Sequence, residues 1–383
     1  MQYRKFGDLG FEVSVFGVGC MRLPVMEKPD GSKDYSAIDE EEAIKMIRYA
    51  IDHGVNYFDT AYTYHGGNSE VVLGKALKDG YREKVKIATK LPLWQAESYE
   101  DFEKILDEQL KRLQVDTIDF YLLHALSKER WEKAKNLKVL DFLDKAVEAG
   151  KIRYPGFSFH DELDVFKEII DSYDWKMCQI QLNILDMHYQ AGVEGLKYAG
   201  SKGIPVVIME PLRGGKLASN IPDDIQDMWN SAKIKRSPVE WAFRWLYNFP
   251  EVTVILSGVS TMEQLKENIE IFDKAVPNSM TDEELELVVK VKELYESKTK
   301  VNCTRCNYCM PCPSGVSIPE IFSLYNDASM FETVEEYANR YKNLIKEEKD
   351  ASKCIECGNC EAECPQNINI IEKLKEANEA LAV

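Results

Sequence analysis

Apolar runs of strand length alternate with amphipathic segments of helix length over the first 276 residues of this 383-residue chain. The runs are rich in β-branched and aromatic residues, whereas the segments between them repeat apolar residues at helical spacing. The strand candidates cover residues 15–18, 56–58, 86–89, 119–122, 153–158, 178–181, 206–209 and 254–257. Eight strand and helix units in one chain predict an α/β fold, a closed parallel (β/α)8 barrel of the TIM type.

The helix candidates between the strands include residues 40–52, 99–113, 137–149 and 161–172. Near the end of the barrel, Ser260 and Glu263 have the spacing of a helix capping box. Before the first strand, residues 2–5 and 12–14 flank a glycine-rich turn, which predicts a hairpin that closes the bottom of the barrel. Active-site residues of such barrels lie at the opposite end, where the strands finish.

Four polar residues follow successive strand candidates at that end. Asp59 and Tyr64 come after the second strand, Lys90 after the third and His124 after the fourth. A phenol has a pKa near 10, so we expect the Lys90 cation to lower the pKa of Tyr64, with Asp59 holding the lysine. A neighbouring imidazole could hydrogen-bond a substrate carbonyl. Any one of these side chains could simply pack, but four at successive strand ends favour a catalytic site.

The segment Asp59-Thr60-Ala61-x2-Tyr64, followed by Gly67, Ser69 and Glu70, resembles the signature of the aldo-keto reductases. The resemblance extends over about the first 276 residues. It implies hydride transfer from a nicotinamide to the carbonyl of a small aldehyde or ketone. It also implies that Tyr64 is the proton donor, that Lys90 and Asp59 tune it, and that His124 orients the substrate.

The same resemblance implies a set of cofactor-binding positions. Gly19 and Met21 would lie near the nicotinamide, and Ser158 and Gln179 would hold its carboxamide, while later segments would hold pyrophosphate and adenine. Phe159, Met209 and Gln264 depart from residues common in the family, so NADP(H) and NAD(H) both stay open. The full set is Gly19, Met21, Ser158, Gln179, Met209, Pro211, Leu212, Gly214, Ser257, Gly258, Gln264, Glu267 and Asn268.

Eight of the ten cysteines fall in two tight runs near the C-terminus, and the second run has the C-x2-C-x2-C-x3-C-P spacing of bacterial ferredoxins. In two-cluster ferredoxins the cysteine before proline ligates the other cluster. The runs therefore predict two [4Fe-4S] clusters with crossed ligands: Cys303, Cys306, Cys309 and Cys364 for one, and Cys354, Cys357, Cys360 and Cys312 for the other.

The first run has two residues before its last cysteine where the ferredoxin pattern has three. Structural zinc and disulfides are the alternatives. A third cysteine at the same interval and the trailing Cys-Pro favour clusters over zinc. The N-terminal residues form no apolar secretory segment, which disfavours disulfides. Cys20 and Cys178 lie outside both runs, and we expect them to be reduced and structural.

About forty residues of helical pattern separate the two runs, which resembles the α-helical ferredoxins that pass electrons within larger oxidoreductases. The predicted domains are the barrel at 1–280, a helical linker at 281–300 and a ferredoxin-type domain at 301–383. The net charge of −17 disfavours a nucleic-acid or anionic-membrane partner. No apolar stretch approaches the roughly 20 residues of a spanning helix, and we expect a cytoplasmic location.

The resemblance to the aldo-keto reductases implies an NAD(P)H-dependent oxidoreductase that reduces a carbonyl, and the cysteine runs predict that it carries two [4Fe-4S] clusters for electron exchange. Two alternatives stay open: an electron-transfer subunit that serves a flavoprotein or ferredoxin partner, and a nicotinamide-sensing redox protein. The substrate itself is not readable from the sequence, because specificity in such barrels depends on rim loops.

Overall fold

The computed structural model describes residues 1–28 and 33–383. Its strands, in chain order, are β1 (Tyr3–Lys5), β2 (Glu12–Ser14), β3 (Phe16–Gly19), β4 (Val25–Glu27), β5 (Lys33–Ile38), β6 (Tyr57–Asp59), β7 (Lys86–Leu91), β8 (Ile118–Leu126), β9 (Ile152–Phe159), β10 (Met177–Gln181), β11 (Val206–Met209) and β12 (Val252–Ser257). All eight predicted barrel strands are present.

The eight barrel strands close on themselves in the order β10, β11, β12, β3, β6, β7, β8, β9. Every pairing in this ring is parallel. Both faces of a parallel barrel strand are covered, so such strands read as continuous apolar runs, and β8 is buried along most of its length. The prediction of a (β/α)8 barrel is confirmed.

The helices, in chain order, are α1 (Glu40–Asp52), α2 (Asn68–Ala76), α3 (Tyr99–Leu113), α4 (Lys128–Asn136), α5 (Val139–Glu148), α6 (Leu163–Asp171), α7 (Gly192–Ser201), α8 (Asp223–Asn230), α9 (Pro238–Tyr247), α10 (Met262–Phe272), α11 (Asp282–Ser297), α12 (Ile318–Met330), α13 (Val334–Lys346), α14 (Asn359–Ala362) and α15 (Ile370–Leu381). Local signals fix several of their ends. Ser98 and Asp101 form a reciprocal capping box at the start of α3.

The hairpin of β1 and β2 is antiparallel, as predicted. Phe6, in its turn region, is fully buried and packs against the barrel interior, with its ring centre 4.5 Å from that of Phe120 and 6.1 Å from that of Tyr57. Val13 belongs to the same core. The hairpin thus fills the end of the barrel at which the strands begin, and chemistry is left to the other end.

A second hairpin, of β4 and β5, lies between the first barrel strand and α1 and was not predicted. The main-chain oxygen of Tyr35 in β5 is 2.8 Å from Nδ1 of His65. His65 lies in the turn that follows β6, so this hydrogen bond connects the hairpin to the segment that contains Tyr64.

By its internal contacts the chain forms two compact units. The first unit, residues Met1–Gly214 and Val239–Thr281, contains the barrel, and the second contains Gly215–Pro238 and Asp282–Val383. The boundaries predicted from the sequence at 280 and 300 stay a prediction. Within the described residues, no helix has the length and apolar character needed to cross a membrane.

The second unit is helical, and its core forms where α12, α13 and α15 meet. Phe322, Tyr337 and Leu374 are buried there, one from each helix. The Tyr341 hydroxyl donates to Oδ1 of Asn378 at 2.9 Å and accepts from the main-chain N–H of Ala351 at 2.9 Å. These contacts join the long helices to the segment that leads into the second cysteine run.

Candidate active site and cysteine runs

Asp59, Tyr64, Lys90 and His124 meet at the ends of three neighbouring strands, β6, β7 and β8. The Lys90 ammonium is the centre of the group. It donates to Oδ1 of Asp59 at 2.6 Å, to the main-chain oxygen of Thr60 at 2.8 Å and to the Tyr64 hydroxyl at 3.4 Å. The rings of Tyr64 and His124 stand edge to face with their centres 6.2 Å apart. The structure therefore brings together all four residues predicted from the strand ends.

The turn after β6 positions Tyr64 next to Asp59 and Lys90. His65 and Gly66 have φ angles of 51° and 63°, and Gly67 follows at 97°. A side chain on Gly67 would face strain at this left-handed φ and would place its Cβ 3.2 Å from the Arg112 guanidinium. Ser69 holds the start of α2 in place. Its hydroxyl is 2.8 Å from that of Thr60 and donates to the main-chain oxygen of Cys20 at 3.0 Å.

Burial and the Asp59 carboxylate act in opposite directions on Lys90. Burial lowers the pKa of the ammonium, but the charges of Asp59 and Tyr64 and the hydrogen bonds that Lys90 donates to both raise it by more, so the net pKa is raised. Asp59 is 2% exposed and Lys90 1% exposed, so the pair is shielded from water. A buried lysine paired in this way stays a cation at neutral pH.

Tyr64 behaves differently from the prediction. Burial raises the pKa of its phenol, Lys90 lowers it, and the net pKa is above the ordinary value of 10. The expected effect of the lysine is present, but desolvation of the phenolate outweighs it. Tyr64 therefore holds its proton at neutral pH, which is the state that a proton donor requires.

His124 is neutral in this setting. Burial lowers the pKa of its imidazole to about 2, with Lys90, His160 and Arg130 adding to the shift. Its Nδ1 is buried and makes no hydrogen bond to any described residue. A neutral imidazole beside a phenol and a cation can hydrogen-bond a carbonyl oxygen without bringing another charge.

A polar network behind the strand that carries Lys90 was not predicted. Glu70 Oε1 accepts from the Thr89 hydroxyl at 2.6 Å and from Nε2 of Gln109 at 2.8 Å, and Tyr121 donates to Oε1 of Gln109 at 2.8 Å. Arg112 donates to Oε2 of Glu70 at 3.2 Å. Glu70 and Gln109 are fully buried. Such groups are stable in a core only when partnered, so the network fixes the strand behind the site.

The residues predicted to hold a nicotinamide carboxamide lie on adjacent strands. Gln179 in β10 pairs in register with Ser158 in β9, and Met209 ends β11. The Gln179 side chain donates to Sδ of Met209 at 3.6 Å, whereas its Oε1 is buried without a partner among the described residues. The Ser158 hydroxyl accepts the main-chain N–H of Ala125 at 2.7 Å and keeps its own proton to donate. A carboxamide has an N–H donor and a carbonyl acceptor, so the free Gln179 oxygen and the Ser158 hydroxyl can each bind one end of it.

The segment after β12 gathers most of the predicted phosphate and adenine positions. Asn268 in α10 donates to the Ser257 hydroxyl at 2.9 Å, and Gln264 Oε1 accepts the main-chain N–H of Ser260 at 2.9 Å. Gly19 ends β3 beside Ser257 and Gly258, with its Cβ position 3.7 Å from the Gly258 nitrogen. These contacts fix the path of the chain into α10.

The remaining predicted positions differ in exposure. Met21 is 60% exposed. Glu267 is exposed on α10, and in the segment after β11 Pro211 is buried, Leu212 is half-buried and Gly214 is exposed. Gly214 has a φ of 70°, which favours glycine at this turn.

Arg22 was not predicted, although it follows Met21 directly. Its side chain lies within 3.3 Å of the Cβ positions of both Gly214 and Gly258. Its main-chain oxygen accepts the Ser260 hydroxyl at 2.8 Å. No Asp or Glu of the described residues forms an ion pair with it. The aliphatic stem of Arg22 lies beside Gly258 and its Nη2 atom beside Gly214. A guanidinium next to such a turn is suited to a phosphate, because Arg presents its donors as a fork.

The cysteine runs of the second unit approach one another. Burial raises the pKa of the Cys303 thiol, and the nearby thiols of Cys306 and Cys364 add to the rise. Cys303 therefore has a neighbour in the other run as well as in its own. Cys309 also has Cys303 and Cys360 as neighbours, and burial together with these thiols raises its pKa to about 11.

A recess beside the second run is lined by sulfur and apolar side chains. Cys312 from the first run lines it together with Cys354, Cys357 and Cys360, and Ile318, Ile371 and Leu374 lie around them. In the described residues, no three His, Cys, Asp or Glu side chains converge on the position of a single ion. A cubane has a different requirement, because each thiolate binds its own iron at a separate corner.

Cys20 and Cys178, which lie outside both runs in the sequence, were predicted to be reduced and structural. Both are free and buried, and burial raises the pKa of each thiol. A buried thiol of this kind is unreactive and packs as a small apolar group.

Residues 26–291 match the profile of the Aldo/keto reductase family. The chain belongs to this family. A second profile, the 4Fe-4S dicluster domain, matches residues 302–369. The barrel, the family match and the relatives below agree on an oxidoreductase enzyme with an iron–sulfur region at its C-terminal end.

Three relatives define this similarity. The chain is 28% identical to Probable aldo-keto reductase 1 of Glycine max over 69% of this chain and 82% of the relative. It is 26% identical to L-galactose dehydrogenase of Arabidopsis thaliana, over 78% of this chain and 97% of the relative. The solved holo form of the aldo-keto reductase AKR11C1 from Bacillus halodurans superimposes with a TM-score of 0.63 at 27% identity, over 76% of this chain and 96% of that one.

Proposed function

We propose that this aldo-keto reductase reduces the carbonyl group of an aldehyde or ketone with Tyr64 as the proton donor. The observation that carries the proposal is the Lys90 ammonium, which reaches Asp59 at 2.6 Å and the Tyr64 hydroxyl at 3.4 Å at the same time. As the proton leaves Tyr64, negative charge develops on the phenol oxygen, and the adjacent cation stabilises it. Asp59 holds the cation in place.

His124 orients the substrate in this proposal. Its neutral imidazole stands edge-on to Tyr64 with ring centres 6.2 Å apart, so one carbonyl oxygen can lie between the two side chains. A hydrogen bond from each would strengthen as the oxygen gains negative charge. Neither group needs to change its position during the reaction, because Tyr64 is held in the turn after β6 and His124 lies in β8.

NADPH or NADH, when bound, supplies the hydride. Ser158 and the unpartnered Oε1 of Gln179 would hold the carboxamide, with Gly19, Met21 and Met209 around the ring. Pro211, Leu212, Gly214, Ser257, Gly258 and Asn268 would form the phosphate and adenine site, together with Gln264, Glu267 and the newly found Arg22. Gln264 uses its Oε1 to accept the main-chain N–H of Ser260, and NADPH and NADH both stay open as the coenzyme.

The two cysteine runs would hold two [4Fe-4S] clusters with crossed ligands. Cys364 beside Cys303 supports one set, and Cys312 beside Cys354, Cys357 and Cys360 supports the other. The first set also takes Cys306 and Cys309. Cubanes carry one electron each and require reduced thiols, which favours a cytoplasmic enzyme.

Substitution of Tyr64 by Phe tests the catalytic role. The variant should lose at least about a thousandfold in kcat for aldehyde reduction while its affinity for NADPH, measured by fluorescence, stays within about twofold. Tyr62→Phe is the matched control, because Tyr62 is two residues earlier and donates to Glu108 rather than to the site. Full turnover by Tyr64→Phe would exclude Tyr64 as the proton donor.

A second candidate function, electron transfer to a ferredoxin or flavoprotein partner, draws support from the surface beside the cysteines. Cys306 and Cys357 are exposed, and the nearby side chains of Tyr308 and Ile355 are 66% and 68% exposed. Exposed apolar groups next to redox centres suit a transient partner.

Hydride carries two electrons whereas each cluster takes one, so we expect NADPH alone to reduce the clusters slowly. Anaerobic stopped-flow mixing with and without an added flavin separates the two functions. Fast loss of cluster absorbance without flavin would exclude this expectation and favour direct exchange. A nicotinamide-sensing role, in which cofactor binding changes partner affinity, would appear as an NADPH-dependent change in partner binding without turnover.

A further inference from the structure

Arg130 lies beside the proposed catalytic residues and takes no part in the roles assigned so far. It is in the first turn of α4, where the Ser127 hydroxyl accepts its main-chain N–H at 3.3 Å. Its side chain turns back toward β8 and donates to the main-chain oxygen of Ala125, the residue after His124, at 2.7 Å. The backbone and one end of the guanidinium are therefore both fixed.

Trp94 fixes the other face of the guanidinium. The Arg130 Cζ atom is 5.1 Å from the centre of the Trp94 ring, a cation–π contact, and that ring is centred 5.0 Å from the His124 ring. Arg130, Trp94, His124 and Tyr64 thus form a continuous row along the rim. Trp94 is 40% exposed, so the row is open to an entering molecule.

Arg130 has no carboxylate partner among the described residues, although the chain has 65 acidic side chains against 48 basic ones. Two other half-buried arginines are paired with carboxylates, Arg82 with Asp119 and Arg112 with Glu70, whereas Arg4 donates to main-chain oxygens. Nearby acidic groups do not pair with it. Glu129 precedes Arg130 in α4 and forms no ion pair with it, Glu132 pairs with Lys135, and Asp161 accepts the main-chain N–H of Lys128. A positioned guanidinium with free donors is consequently available to a ligand.

Two further observations place this charge near the reacting group. Arg130 is one of the cations that lower the pKa of His124, and it acts in the same direction on His160. Because both histidines stay neutral at pH 7, they do not compete with Arg130 for an anion. Lys90 is already paired with Asp59, which leaves Arg130 as the cation on this side of the rim that can meet a second charged group of a substrate.

We propose that Arg130, held against Trp94, binds a carboxylate of the substrate, so that the enzyme acts on oxo acids. The carbonyl would lie between Tyr64 and His124, and the carboxylate would be bound farther along the same row. The inference rests on the proposed function, because it assigns the substrate class of that site. Arg is suited to the role, since its planar fork binds carboxylate in two parallel hydrogen bonds.

The test compares acids with their uncharged esters. The probes are 4-oxobutanoate, 5-oxopentanoate and 4-carboxybenzaldehyde, each beside its methyl ester, with NADPH and the holoenzyme. We expect kcat/KM to be at least about tenfold higher for one or more acids than for the matching ester. Arg130→Gln should abolish this preference through a higher KM for the acid and leave the ester unchanged. Arg130→Lys should recover part of it.

Lys128→Gln is the matched control, because it removes one positive charge from the same helix at an exposed position. It should keep the preference for acids. Equal kcat/KM for acid and ester in the unmodified enzyme, or an equal loss for both in Arg130→Gln, would overturn the proposal.

Failure of the proposed function gives a different result. An enzyme that reduces none of the six aldehydes but binds the unreactive dicarboxylate terephthalate, with loss of binding in Arg130→Gln, retains the anion site without the assigned reaction. An enzyme that reduces the esters and does not bind terephthalate retains the reaction without the anion site.

Discussion

The side-chain amide of Gln109 donates a hydrogen bond to the main-chain oxygen of Lys90 at 3.1 Å. Gln109 lies in α3, and its amide also reaches Glu70 and Thr89, so a helix outside the barrel is bonded to the strand residue that carries the proposed catalytic ammonium. The position of that ammonium therefore depends on a residue that contacts neither substrate nor coenzyme.

Replacement of Gln109 by Leu tests this dependence. Loss of the amide leaves the buried Tyr121 hydroxyl without its acceptor and removes one of the donors to Glu70, so unfolding should need about 1–3 kcal/mol less free energy. We expect kcat to fall about tenfold or more, because small displacements of catalytic groups are costly, and KM for NADPH to stay the same. Denaturant unfolding and steady-state kinetics give the two values.

Tyr121→Phe is the control for Gln109→Leu, because it removes one bond of the network and keeps the bond to Lys90. It should lower stability with little effect on kcat. If both variants lose activity in proportion to stability, Gln109 has only a structural role.

His124 should make the fold sensitive to acid. Its pKa in the folded protein is lowered to about 2 from an ordinary value of 6.5, so below pH 6.5 the unfolded chain binds a proton that the folded chain does not. The stability contributed by the neutral imidazole is complete above pH 6.5 and declines as the pH falls. Urea unfolding between pH 7 and pH 5 should show a shallower decline in His124→Gln. An unchanged slope in His124→Gln would contradict the assignment.

Arg22 should contribute to coenzyme affinity. Its side chain lies between the turns at Gly214 and Gly258, and a charge-assisted bond to phosphate is worth about 1.5–3 kcal/mol. Arg22→Gln should raise the dissociation constant of NADPH about tenfold or more and leave kcat at saturation unchanged. The control is Lys5→Gln, which removes a charge from the hairpin at the other end of the barrel. Equal affinity in Arg22→Gln and the parent enzyme would exclude the contact.

The crossed cluster ligands predict a specific iron count. Cys364→Ser and Cys312→Ser should each disturb one cluster, so the iron content should fall from about eight to about four atoms per chain in either variant. Cys178→Ala, at a buried thiol remote from both runs in sequence, should retain the full content. Iron and sulfide analysis with EPR after anaerobic purification gives the numbers. Loss of no iron in Cys312→Ser would show that the shortened first run does not supply that ligand.

The barrel could be predicted because its strands are fully buried and therefore apolar along their length, and because parallel pairing forces helices between them. The four catalytic candidates could be predicted for the same reason, since strand ends meet at one rim. The first residue of a helix was harder to predict than the presence of the helix. Ser260 was expected to cap the last barrel helix, but α10 begins one residue later and Thr261 accepts the N–H of Gln264.

Other features could not be predicted because they depend on distances between residues far apart in sequence. Arg130 is recognisable as a ligand group only when its contact with Trp94 and its missing carboxylate are known. The role of Arg22 depends on its contacts with two glycines, which lie about 190 and 240 positions later in the sequence. The pKa of Tyr64 depends on how deeply the phenol is buried, and the sequence shows the neighbouring cation but not the depth.

The chain leaves the first unit after Gly214, returns to it after Pro238 and leaves it again after Thr281. The two segments outside it form the second unit. Within that unit two ion pairs hold the stretch from Gly215 to Pro238: Arg236 with Glu284 of α11, and Asp224 with Lys298, which follows α11 directly. Removal of the codons after 281 would thus leave residues 215–238 without their ion-pair partners. Because the Aldo/keto reductase match runs through this stretch to residue 291 and the 4Fe-4S match begins at residue 302, the second unit combines sequence from both matches.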